Sequence, residues 1–121
     1  MGTLEGKTVV VVGGTSGIGF SVAKGALLSR ATRVIVASSA LARVEKGVTR
    51  LREILSEKPD LPGKVDGSVL DAKDLHAVGA FIDGIGEFDH LVWTSGDMLR
   101  SGLKDVDLET QKGKISFLRM M

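Results

Sequence analysis

Residues 7–19 read Lys7-Thr8-Val9-Val10-Val11-Val12-Gly13-Gly14-Thr15-Ser16-Gly17-Ile18-Gly19. The first six form a β-branched run with no polar interruption after Thr8, the pattern of a strand buried on both faces. The run passes directly into four glycines set among small hydroxyl residues. Beyond Gly17 the spacing becomes helical, with Val22, Ala23, Ala26 and Leu27 marking one stripe. Glycine takes positive φ and has no Cβ, so backbone amides in such a turn can approach a pyrophosphate closely. The helix N-terminus adds unpaired N–H groups and the positive end of its dipole. Thr15 and Ser16 supply small donors that do not block the approach. The alternative is a tight βα turn that binds nothing. The strand before the glycines, the helix after them and the βαβ frame around them favour a dinucleotide site.

Outward from this stretch, strand and helix patterns alternate. Arg33 to Ala37 is a second β-branched run, Gly63 to Ser68 a weaker one around Val65, and Asp89 to Thr94 a fourth. Between them Leu41, Val44, Val48, Leu51 and Leu55 recur at steps of three and four, with charges elsewhere. Leu75, Val78, Ile82 and Ile85 repeat that spacing, with Asp71 placed as the expected N-cap and Asp74 three residues on. A last helix is expected from Asp105 or Val106 through Leu108, Ile115 and Leu118, weakened by Gly113. The order is β-α-β-α-β-α-β-α. Right-handed crossovers and short connections then predict one Rossmann-like α/β domain over residues 1–121. Its open parallel sheet of about four strands has the order 3-2-1-4, with helices on both faces.

Composition narrows the function. The chain has 121 residues, and 16 Lys and Arg against 15 Asp and Glu leave a formal charge of +1. Neither nucleic acid nor an anionic membrane is the expected partner of so balanced a chain. Cysteine is absent, which removes disulfides, thiolate nucleophiles and Cys-ligated metals. No apolar run reaches the ~18 residues of a membrane span, and Met1 to Lys7 shows no secretory pattern. The expected setting is cytoplasmic.

The glycine spacing Gly13-x-x-x-Gly17-x-Gly19 resembles that of the short-chain dehydrogenase/reductase family. The likeness continues through Val69-Leu70-Asp71 and through Phe88-Asp89-His90-Leu91-Val92-x-x-x-Gly96, and so covers nearly the whole chain. The family's usual Thr before the first glycine is replaced here by Val12. The resemblance implies a nucleotide-binding fold from oxidoreductases that interconvert carbonyl and alcohol groups. It places Gly13, Thr15, Ser16, Gly17, Ile18 and Gly19 at the cofactor. Ser68 stands where relatives carry the Asp of an Asp-Val pair at the adenine. Gly96 keeps a close backbone approach at the fourth strand. There Trp93-Thr94-Ser95-Gly96 replaces the family's Asn-Asn-Ala-Gly, and both amides are lost.

An acid at the end of the second strand would bond both ribose hydroxyls and repel a 2′-phosphate. This chain reads Ala37-Ser38-Ser39-Ala40 there, with no acid before Glu45 and with Arg43 one turn into the next helix. Ser38, Ser39 and Arg43 therefore point to NADP over NAD. The alternative is that the serines cap the helix and Arg43 is solvated.

Catalysis in the family uses an Asn, a Ser and a Tyr-x-x-x-Lys pair beyond the fourth strand. The Tyr needs its Lys because a phenol of pKa near ~10 is too weak an acid at neutral pH. This chain contains no Tyr and no Asn. His76 is expected at the surface of its helix and His90 in a structural position at the start of the fourth strand, and no catalytic set replaces the missing one. Two readings follow: an NADP(H)-binding dehydrogenase/reductase half that needs a partner for acid–base groups, or a non-catalytic NADP(H)-binding or interaction module. The expected contact is a homodimer or partner chain, through an exposed edge of the fourth strand and the last helix.

Overall fold

Val9 and Val11 bury on one side of the first strand, and Val10 and Val12 on the other. A computed structural model of the chain describes residues 3–13, 17–71, 73–94, 108–109 and 114–117. Its elements are β1 (Thr8–Val12), α1 (Gly17–Leu28), β2 (Arg33–Ser38), α2 (Leu41–Ser56), β3 (Lys64–Val69), α3 (Leu75–Ile85), β4 (His90–Trp93), β5 (Leu108–Glu109) and β6 (Lys114–Phe117). The strand order is β3-β2-β1-β4-β6-β5. The expected four-strand parallel core is present, extended on one side by two strands.

Handedness sets the layers. Steps from β1 to β2 and β2 to β3 run one way across the sheet, while β3 to β4 runs back. Right-handed crossovers therefore put α1 and α2 on one face and α3 on the other. The two cores follow. One joins Val9, Val11, Val34 and Val36 to Ala23, Leu27, Val48 and Leu51. The other joins Val10, Val12, Ile35 and Ala37 to Val78, Phe88, Leu91 and Trp93.

Small residues decide how closely the layers meet. A Cβ on Gly67 would lie 2.5 Å from Val44 Cγ1 and 2.8 Å from Val48 Cγ2. The absence of that carbon lets α2 sit down on β3. At the opposite end of the sheet, Asp89 binds β1 twice: Thr8 N–H donates to Asp89 Oδ2 at 2.8 Å, and Asp89 N–H to the Thr8 carbonyl at 3.0 Å. Among the described residues, an apolar groove of about 380 Å³ lies open on the α1 face between α1 and β4, lined by Leu4, Val9, Val22, Ala26, His90 and Val92.

Three expectations are corrected. The N-cap of α3 is Asp74, whose side chain accepts from Ala77 N–H at 3.1 Å. The Asp71 carboxylate instead accepts from Lys73 N–H at 2.9 Å, in a turn of its own before the helix. The expected last helix is replaced by β5 and β6 over the described part of that segment. Lys114-Ile115-Ser116-Phe117 alternates polar and apolar, the two-residue period of a strand, and Gly113 disfavours a helix just before it. As a result the outer edge of β4 is not exposed. It pairs in parallel with β6, with His90 opposite Lys114 and Trp93 opposite Phe117.

The turn after α1 holds an uncommon residue. Arg30 N–H donates to the Leu27 carbonyl and Ala31 N–H to the Ala26 carbonyl, the two bonds of a Schellman cap. Arg30 takes the left-handed position at φ 73°. Its ion pair with Glu5 is 3.7 Å long and exposed, worth little against the strain of a Cβ in that conformation. Arg30→Gly is therefore expected to raise unfolding free energy in urea by about 0.5–1 kcal/mol. A loss of stability instead would mean that the Arg30 contacts outweigh the strain.

Candidate functional site

The sheet register gathers the predicted site at one edge. Val12 pairs with Ala37 and Trp93, and Ala37 pairs with Ser68, so one line crosses four strands. One residue further along, Ser38, Gly13 and Thr94 follow at the carboxyl ends of β2, β1 and β4, on strands about 5 Å apart. In open α/β sheets this edge is where ligands bind.

Gly13 has φ 88°, and its N–H donates to the Ala37 carbonyl at 2.7 Å. Gly17, at φ 57°, begins α1, with Ile18 exposed and Gly19 buried against the core side. Positive φ at both ends of the loop is a conformation that side chains disfavour. Thr15, Ser16 and Gly96 lie outside the described residues.

The helix ends beside this line carry the electrostatics. α1 has no acidic residue in its first turn. α2 has none either, and its N-cap, Ala40, makes no side-chain cap bond. Ser38 and Ser39 are therefore not the cap. Ser39 Oγ instead accepts from Arg43 Nη2 at 3.0 Å. The pair stands exposed beyond the end of β2, a guanidinium and a hydroxyl side by side at an open helix N-terminus. Both features favour an anion. By contrast, Asp74 closes the N-terminus of α3. Ser68 is half-buried on β3 beside Ala37.

Other groups considered in the sequence do not converge. Arg33, at the amino end of β2, pairs with Asp66 at 3.1 Å. His76 is exposed on α3, and His90 begins β4 at the edge opposite the site. No cluster of metal-ligating residues occurs among the described residues. Trp93 is buried in the α3-side core with Val12, Ala37 and Leu70.

Sequence reasoning treated Thr94 only as a lost amide. In the structure it is fully buried, and both its N–H, at 2.9 Å, and its Oγ1, at 2.8 Å, donate to the Val12 carbonyl. Its signal was the position itself, a hydroxyl side chain immediately after a buried strand.

Comparison with known proteins agrees with this fold. A family model described as an SDR-like Rossmann domain matches residues 2–120. The short-chain dehydrogenase/reductase fsr5 of Gibberella fujikuroi is 34% identical over 121 residues, covering 94% of this chain and 46% of that protein. The MalC reductase/Diels-Alderase of Malbranchea aurantiaca superposes with a TM-score of 0.67 at 28% identity, over 78% of this chain and 38% of that one. An NADPH-bound short-chain oxidoreductase of Pseudomonas aeruginosa PAO1, described as having an atypical catalytic center, gives 0.66 at 26% identity, over 78% and 36%. The chain thus spans less than half the length of the curated relatives it matches.

The backbone at Gly13 makes a direct test. Gly13→Ala is expected to lower unfolding free energy by about 1–3 kcal/mol, measured by urea denaturation. Unchanged stability would show that residue 13 tolerates a side chain and that the turn is not strained.

Proposed function

The chain belongs to the short-chain dehydrogenase/reductase family, and from that premise we propose that it is an NADP(H)-binding half of such an oxidoreductase. The Arg43–Ser39 pair carries this reading. It stands where an acid would select NAD, at an open helix N-terminus suited to a 2′-phosphate. The residues fit the cofactor in kind. Positive-φ glycines leave room for the pyrophosphate, α1 offers its N-terminus, and Gly13, Thr15, Ser16, Gly17, Ile18 and Gly19 form the loop. Ser38, Ser39 and Arg43 would hold the adenosine phosphate, with Ser68 along the same edge; Gly96 joins them by the family resemblance alone. The NADPH-bound relative supports the choice of cofactor.

Bound NADP(H) would supply hydride chemistry between carbonyl and alcohol groups. This chain's residues bind and orient it. They do not supply the proton, since a sequence without tyrosine cannot hold the Tyr-x-x-x-Lys pair. Acid–base groups would come from a partner chain, a second copy included, or from the remaining length of a longer one. The open groove beside α1 offers such a partner an apolar surface. The missing tyrosine equally favours a second reading, a non-catalytic NADP(H)-binding or interaction module. A cytoplasmic setting belongs to the same proposal. No described helix is long and apolar enough to cross a membrane.

Trp93 is the sole tryptophan and ends β4 at the site edge, so energy transfer to reduced nicotinamide reports binding. Titration is expected to saturate, with NADPH tighter than NADH. Arg43→Ala should weaken NADPH about tenfold, the loss of one charge-assisted contact, and leave NADH unchanged. NADH binding as tightly as NADPH would overturn the cofactor assignment. Separately, NADPH oxidation with a panel of ketones should not exceed that of Gly17→Asp. Turnover above this control would show that the chain holds its own acid–base group.

A further inference from the structure

The peptide between Val12 and Gly13 is held on both sides by other strands. Its carbonyl accepts from Thr94 N–H at 2.9 Å and from Thr94 Oγ1 at 2.8 Å. Its N–H donates to Ala37 at 2.7 Å. The two Thr94 bonds take both lone pairs of the oxygen, and the peptide is planar, so fixing the oxygen fixes the direction of the N–H. The next torsion is that of Gly13 at φ 88°, where the chain leaves the sheet. Glycine restrains itself less than any other residue, so the restraint at this exit comes from neighbours.

We propose that the Thr94 hydroxyl is a positioning group for the start of the glycine loop: from just past the end of β4 it locks the last peptide of β1 and so sets the direction in which Gly13 leaves the sheet. The consequence for nucleotide affinity rests on the NADP(H) reading above. The locking itself does not. Thr94 is wholly buried, so its hydroxyl is screened from water and its bond to the carbonyl is not exchanged for solvent. The backbone N–H alone would continue the β1–β4 ladder; the hydroxyl is the added element, and it comes from the side chain.

The test compares Thr94→Val, Thr94→Ala and Thr94→Ser by amide-resolved hydrogen exchange, with NADPH titration alongside. Thr94→Val keeps the shape and removes the hydroxyl. It should speed exchange at Gly13 about tenfold or more relative to Val10 and Val34, the loss of one buried hydrogen bond. Thr94→Ser should stay within about threefold of the parent at Gly13, since its hydroxyl can make the same bond. Thr94→Ala should behave like Thr94→Val. Unchanged Gly13 exchange in Thr94→Val, or acceleration by one factor at all three amides, overturns the proposal. So does failure of both hydroxyl-free variants to fold, which would make the group a general requirement of the sheet. If the parent binds NADPH, Thr94→Val should weaken it and Thr94→Ser should not; equal affinity in all three overturns the link to the nucleotide. A parent that binds no NADPH removes the NADP(H) reading alone, because the exchange data still decide the role of Thr94.

Discussion

The structure depends on β1 being buried on both faces. Four consecutive valines cannot meet water on either side without a large loss of hydrophobic stabilisation. A strand of that kind needs a neighbour on each edge and a helix layer above and below. Here β2 and β4 flank it, α1 and α2 cover one face, and α3 covers the other. With right-handed crossovers, the observed order β3-β2-β1-β4 meets those demands. They also bring the ends of β1, β2, β3 and β4 into a single line. The candidate site is a product of that line: Gly13, Ser38 and Thr94 stand together because the sheet register places them there.

Much of this was legible because it is local. The β-branched runs and the three-and-four spacing of Val44, Val48 and Leu51 give elements whose bounds differ from the sequence reading by about a residue. What failed was decided between distant parts of the chain. Leu108 and Ile115 suit a helix by spacing alone, but the pairing of β6 with β4 joins residues more than twenty positions apart. Such pairing depends on the neighbour strand more than on propensity. The choice between Asp71 and Asp74 turned on three residues. Both are capping types, and only the bond to Ala77 N–H separates them.

At the site, the serines and Arg43 were readable from the missing acid after β2, while their mutual bond was not. The structure adds that α2 opens without a side-chain cap, which leaves its positive end available. Thr94 was harder. A threonine in place of an amide reads as a loss, and only the fold shows its hydroxyl aimed at the carbonyl of Val12. The absence of the tyrosine that the family resemblance calls for was legible directly, since no folding can create one. On the proposed reading, recognition of the cofactor and the chemical step are separable in this chain: its sheet edge would carry the former, and its sequence lacks the tyrosine on which the family relies for the latter.

The central claim is that the carboxyl edge of β1 and β2, with the first turns of α1 and α2, is a nucleotide site. The most direct measurement is a two-dimensional amide spectrum of the labelled chain with and without NADPH. The account predicts saturable shifts at Gly13, Gly17, Gly19, Ser39 and Arg43, with Val34 and Val65 unmoved. Shifts absent at saturating NADPH, or confined to the opposite edge near Lys7 and Asp89, would contradict it.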